Sequence, residues 1–130
     1  PLISENQKRK NKKGSTMLKK MDNLTEKEKQ AVQKLVEGLK KLYGENLAQL
    51  ILYGSKARGD FEDGSDIDIL VVLKKMGLSF DEIDKINRIS APICLENDLL
   101  ISTIPIEEEW VNADYKTIFV HNVLKEGIKL

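Results

Sequence analysis

From residue 25 onward the apolar positions follow the two periods that set secondary structure. Ala31, Val32, Leu35, Val36 and Leu39 fall three and four apart, one stripe of a helix, and Thr25 with Glu28 has the form of a capping box at its start. Gly44 stops that helix. Leu47 to Tyr53 is a short apolar segment and predicts a first strand; Gly54 to Gly59 turns the chain, and Asp60 to Ser65 is a polar loop. Asp66 to Leu73, rich in β-branched residues and bounded by turn formers, predicts a second, central strand. Phe80, Ile83, Ile86 and Ile89 mark another helix, capped by Ser79, with Asp81 and Glu82 where the helix dipole favours them and Pro92 ending or bending it. Asp98 to Ile104 reads as a third strand closed by Pro105. A last helix then turns Val111, Tyr115, Ile118, Phe119, Val123 and Leu124 inward and stops at Gly127. The order of elements predicts an α/β (α+β) fold, a small mixed β-sheet flanked by helices, with no second domain.

At 130 residues the chain has room for one core. No apolar run approaches the ~18 residues of a membrane span, and no signal-peptide core is present. Cys94 is the single cysteine and His121 the single histidine, so neither an internal disulfide nor a zinc site is available, and a metal would be held by oxygen ligands. This composition suits the reducing cytoplasm.

The net charge of zero conceals an asymmetry. Residues 1–20 carry seven basic side chains against Glu5 alone, a net +6, and the other 14 basic and 20 acidic side chains leave residues 21–130 at −6. Residues 1–16 have no hydrophobic period and read as a disordered leader or an added tail, leaving 17–130 as the domain. A basic arm touching nucleic acid is the rival reading. The acidic domain itself argues against nucleic-acid binding.

The informative stretch is Gly54-Ser55-Lys56-Ala57-Arg58-Gly59, then Ser65-Asp66-Ile67-Asp68-Ile69. Alternation along a strand puts Asp66 and Asp68 on one face and the two isoleucines on the other. Two adjacent carboxylates at the start of a buried strand repel each other and are poorly solvated, which a core does not need. A hard divalent cation does need them, since Mg²⁺ takes one or two carboxylates with phosphate and water oxygens. The turn at Gly54-Ser55 lets the backbone approach a ligand, and its amides with the Ser55 hydroxyl suit phosphate oxygens. Lys56 and Arg58 add positive charge nearby. The bland alternative makes Ser65 and Asp66 a strand-start turn, but it leaves Asp68 without a role.

Gly-Ser, ten residues and Asp-x-Asp resembles the motif of the minimal nucleotidyltransferases of the DNA polymerase β-like superfamily. Gly54-Ser55, residues 56–65 and Asp66-Ile67-Asp68 fit it without gaps, and Ala57-Arg58-Gly59 and the tail Leu124-Lys125-Glu126-Gly127-Ile128 are similar to the family's usual sequences. The likeness spans nearly everything but the leader. It implies the polymerase β-like fold and transfer of a nucleotide, AMP in the first instance, from an NTP such as ATP. Two Mg²⁺ ions, or Mn²⁺, would be held by Asp66, Asp68 and a third carboxylate on a later strand. Asp98 is the matching position, with the role of activating the acceptor, and Glu96 in the same register is its rival. Gly54, Ser55, Lys56 and Arg58 would bind the nucleotide. Stand-alone chains of this kind pair with small helical proteins, so the resemblance implies a HEPN-type partner in a toxin–antitoxin pair. A binding antitoxin without chemistry, a nucleotide-binding regulatory subunit and a homodimer stay open.

Blander roles attach to the remaining candidates. Arg58 suits a salt bridge with Asp60 or Asp66 as well as a phosphate, and Lys56 suits a solvated helix. His121 reads as a surface residue, Trp110 and Tyr115 as packing residues of the last helix, and Cys94 as a small core hydrophobe.

Overall fold

The computed structural model describes residues 21–130, so the reading of residues 1–16 as a leader lies outside the described residues. Helix α1 (Glu26–Tyr43) starts at the capping box: Thr25 Oγ1 accepts from the Glu28 N–H, and Glu28 accepts from the Thr25 N–H. All five predicted stripe residues of α1 are buried, each aliphatic one adding about 1.5–3 kcal/mol of transfer free energy before chain entropy is offset. One 3₁₀ turn at Gly44–Asn46 leads into β1 (Leu47–Tyr53). The short α2 (Ser55–Arg58) follows, then β2 (Ile67–Leu73), α3 (Ser79–Asn97), β3 (Ile101–Glu107), α4 (Glu108–Asn112), α5 (Ile118–Glu126) and β4 (Ile128–Lys129).

The sheet order is β3-β2-β1-β4, with β1 antiparallel to β2 and β4 and with β3 parallel to β2. Both faces are packed, which is why β2 is a nearly continuous apolar run. Leu50, Leu52, Ile67, Ile69 and Val71 meet α1 and α3 on one face. Ile51, Leu70 and Val72 meet Val111 of α4 and Val123 of α5 on the other. Gly127 ends α5 where a Cβ would run into the Val123 carbonyl and the Ile51 side chain, so the chain passes tightly from α5 to β4. No helix among the described residues is long and apolar enough to cross a membrane.

Several local expectations are corrected. The third strand begins at Ile101, because Asp98 closes α3 in a left-handed conformation (φ 51°, ψ 53°) that a short polar side chain tolerates. Pro105 does not close β3 but lies inside it; β3 is an edge strand, where a missing N–H need not break a ladder. Pro92 does not end α3, which continues to Asn97; Arg88, whose carbonyl loses its partner, is exposed to water. The cap of α3 is Leu78, with no side-chain bond, while the Glu82 carboxylate accepts from the Gly77 N–H. The last helix is two helices, and Thr117 caps the second by accepting from the Val120 N–H. Its inward residues are Val120, Val123 and the half-buried Leu124, whereas Trp110, Tyr115, Ile118 and Phe119 are exposed. Trp110 and Tyr115 are therefore not packing anchors. His121 is exposed, as expected, and Cys94 packs against the main core.

Candidate active site

The chain reverses sharply at the end of β1. Gly54 has φ 77°, and a Cβ there would collide with the Asp68 carboxylate, so only glycine lets the turn lie against β2 at this point. The next residues wind into α2, whose Ala57 and Arg58 N–H groups both return to the Gly54 carbonyl. The N–H groups of Ser55 and Lys56 stand at the opening of that turn, where no preceding carbonyl serves them. Gly59 ends the turn with φ 92°. The Gly54 turn and the Asp68 carboxylate thus lie against each other.

Asp68 is half-buried and Asp66 exposed, at the start of β2. The Asp68 carboxyl titrates above the usual carboxylate range: burial is the larger cause, and the Asp66 charge adds to it, with Arg58 partly opposing them. Two hard oxygen ligands held against their mutual repulsion fit a divalent cation, whose charge reverses that repulsion. Beside them Tyr53, the β1 partner of Asp68, has its phenol pushed up to about 12 by burial and by the Asp68 charge. Its ring packs edge-on against Phe119 of α5, with centroids 5.5 Å apart.

The expected site residues divide into two sets. Gly54 lies against Asp68, Ser55 follows it in the chain, and the Asp66 charge is felt at Asp68. Arg58 stands at the margin, half-exposed, donating to Asp60 and, at 3.0 Å, to Glu126 of α5. Lys56 turns the other way: it is 4% exposed, its Nζ lies 3.1 Å from Glu28 of α1, and it sits 4.2 Å from the Phe61 ring centre. Neither solvated nor aimed at the turn, it ties α2 to the capping box of α1. Asp98 lines a shallow groove of about 250 Å³ with Thr25, Gly64, Ser65 and Leu100, off the strand on which it was expected. Glu96 lies on α3, 3.8 Å from Lys34. Among the described residues no three acidic, histidine or cysteine side chains gather as a metal cage. Tyr53, Glu28 and Glu126 are site neighbours that the sequence pattern does not single out. Tyr53, adjoining Gly54 at a strand end, carries the one signal that could reveal it.

Residues 32–124 match the family described as nucleotidyltransferase domain. Two Methanocaldococcus jannaschii proteins, each named "putative protein adenylyltransferase", are similar to the chain. One is 34% identical over 100 residues, covering 77% of this chain and 94% of its own. The other is 35% identical over 86 residues, covering 66% and 81%. Among solved structures, a toxin–antitoxin crystallised with AMP-PNP superposes with a TM-score of 0.51 at 17% identity, over 73% of this chain and 68% of its own. A Sulfolobus solfataricus "putative nucleotidyltransferase" gives 0.50 at 25% identity, over 84% and 89%.

Proposed function

The chain belongs to the nucleotidyltransferase family, and we propose that it transfers a nucleoside monophosphate, AMP first among them, from an NTP to a protein acceptor. The observation that carries this is the contact of the Gly54 turn with Asp68, which joins a phosphate-binding turn to a cation-binding carboxylate pair. Asp66 and Asp68 would hold Mg²⁺ or Mn²⁺. When bound, the cation neutralises charge on the phosphates in an in-line displacement at the α-phosphorus. The Ser55 hydroxyl and the amides beside it bind the outer phosphates, and Arg58 supplies positive charge at the margin. The names of the Methanocaldococcus relatives support a protein acceptor. The AMP-PNP of the structural neighbour makes ATP the nucleotide to try first, and its toxin–antitoxin setting fits a protein partner encoded beside this chain; a HEPN-type partner in the cytoplasm follows from the resemblance of the motif alone.

A second reading, a binding antitoxin or regulatory subunit that keeps nucleotide affinity without transfer, draws support from the absence, among the described residues, of any cluster of three acidic, histidine or cysteine side chains. One assay decides between them. The full chain is incubated with ATP, Mg²⁺ and the co-encoded protein, and the products are weighed by mass spectrometry. Transfer adds one AMP to the partner and is lost in Asp66→Ala and Asp68→Ala. No added mass, together with ATP affinity that is equal in Mg²⁺ and in EDTA, would refute the proposal.

A further inference from the structure

The register of β3 decides which of its side chains meets the carboxylates. Asp68 pairs with Tyr53 of β1 on one side and Ser102 of β3 on the other, a row of three polar side chains across three strands. Adjacent strands lie about 4.8 Å apart, and paired residues leave the sheet on the same face, so Ser102 is the β3 side chain beside Asp68. The other β3 positions facing this way, Ile104 and Ile106, are apolar, as is Leu100 just before the strand. Ser102 is half-buried between Leu100 and Ile104, both exposed. A strand position with such neighbours would take valine at less desolvation cost, so packing alone does not require the hydroxyl. Asp98, in its left-handed turn, precedes β3 by three residues.

We propose that Ser102, and not Asp98, is the side chain through which β3 enters the reacting centre. Its hydroxyl is a neutral third group beside Asp68 that positions the acceptor oxygen by a hydrogen bond. The inference rests on the cation-binding reading of Asp66 and Asp68. The transfer itself balances simply: the acceptor oxygen bonds to the α-phosphorus, the bond to pyrophosphate breaks, and the acceptor's proton passes to solvent. Ser102, already protonated, does not receive it.

The main test reads Mn²⁺ binding to the full chain without nucleotide, by electron paramagnetic resonance of the free ion. Affinity for hard cations rises with the number of charged oxygens, so Ser102→Asp is expected to tighten binding about tenfold or more, and Asp98→Asn to leave it within about twofold. Ser102→Cys changes one atom and so guards against misfolding of the aspartate variant. It is expected to add a Cd²⁺–thiolate charge-transfer band above the wild-type baseline, which includes Cys94. Ser102→Ala should keep Mn²⁺–ATP affinity yet slow AMP transfer to the co-encoded protein by about tenfold to a hundredfold, with Ser102→Thr restoring it. If Asp66→Ala leaves Mn²⁺ binding intact, the cation reading falls and this inference with it. If Asp66→Ala abolishes binding and Asp98→Asn does too, the cation reading stands and Ser102 is the wrong residue. Ser102 is equally ruled out if its aspartate and cysteine variants alter neither metal, or if Ser102→Ala transfers at the wild-type rate.

Discussion

Lys56 offers the sharpest test of how the phosphate turn is held. Its ammonium lies 3.1 and 3.4 Å from the two Glu28 oxygens, the side chains are 4% and 13% exposed, and Glu28 also accepts from the Thr25 N–H at 2.9 Å. Lys56→Met keeps the stem and removes the charge, leaving Glu28 nearly buried with one backbone partner. Breaking a buried pair by removing one member costs about 3–5 kcal/mol; water reaching the rim of Glu28 argues for the low end, about 3. For a domain of this size that is roughly 10–15 °C in Tm. Glu28→Gln keeps an acceptor for Thr25 and removes the other charge, so the double variant leaves no orphaned ion and should lose only about 1–2 kcal/mol. Urea unfolding of the four proteins measures the coupling. If the two single losses add within about 0.5 kcal/mol, the pair is not coupled and Lys56 does not hold α2 through Glu28. The double variant also settles a functional point: normal ATP affinity in a stable Lys56→Met/Glu28→Gln protein means that Lys56 positions α2 and does not touch phosphate.

Other consequences are as direct. The folded-state pKa of Asp68 is raised above its unfolded value of 3.8, so its ionisation opposes folding, and its contribution to stability falls as pH rises through the folded pKa. Asp68→Asn should therefore raise Tm at neutral pH, with the gain vanishing below about pH 4, where both forms are neutral; a lower Tm at neutral pH would contradict this. Mg²⁺ should raise the Tm of the wild type and leave that of Asp68→Asn unchanged in a thermal-shift assay. Gly54→Ala should abolish Mg²⁺-dependent ATP binding by displacing the Asp68 carboxylate, as calorimetry can check, while Gly77→Ala, whose Cβ would meet only the Glu82 carboxylate at ordinary contact distance, should not. Gly127→Ala should cost about 1–3 kcal/mol in urea unfolding through the collision with Ile51 and the Val123 carbonyl.

What the sequence makes legible is local. The α1 stripe, its capping box, β1 and the Gly54-Ser55 turn before β2 are each signalled by residues close together in the chain, and each stands where the pattern puts it, to within a residue. The last helix misleads because Tyr115, Ile118 and Phe119 are apolar, and residue type alone assigns them to the core. The two small faces of α4 and α5 bury only Val111, Val120 and Val123. Lys56 misleads for a related reason: its partner Glu28 lies 28 residues away, a distance that no local pattern reports.

The placement of Asp98 on the third strand fails at a different link. Placing Asp98 beside Asp68 needs two things at once: where α3 stops, and how β3 registers against β2. Pro92 suggests an early stop, which would release Asp98 to begin a strand. Instead α3 carries the proline on an exposed side, runs on to Asn97, and spends Asp98 on its left-handed cap. The strand then starts three residues later, and the register brings Ser102 level with Asp68. A slip of one residue in that pairing would swap every β3 side chain between the two faces, and one of two would set Leu100 or Ile104 opposite Asp68. The buried run from Ile69 to Leu73 fixes the position of β2, and Ile101 and Ile106, packing on opposite faces, fix that of β3. The chemistry on the next strand is therefore set by hydrophobic packing several residues away. For that reason a motif confined to residues 54–68 can be read from the sequence, while the residue completing the row cannot.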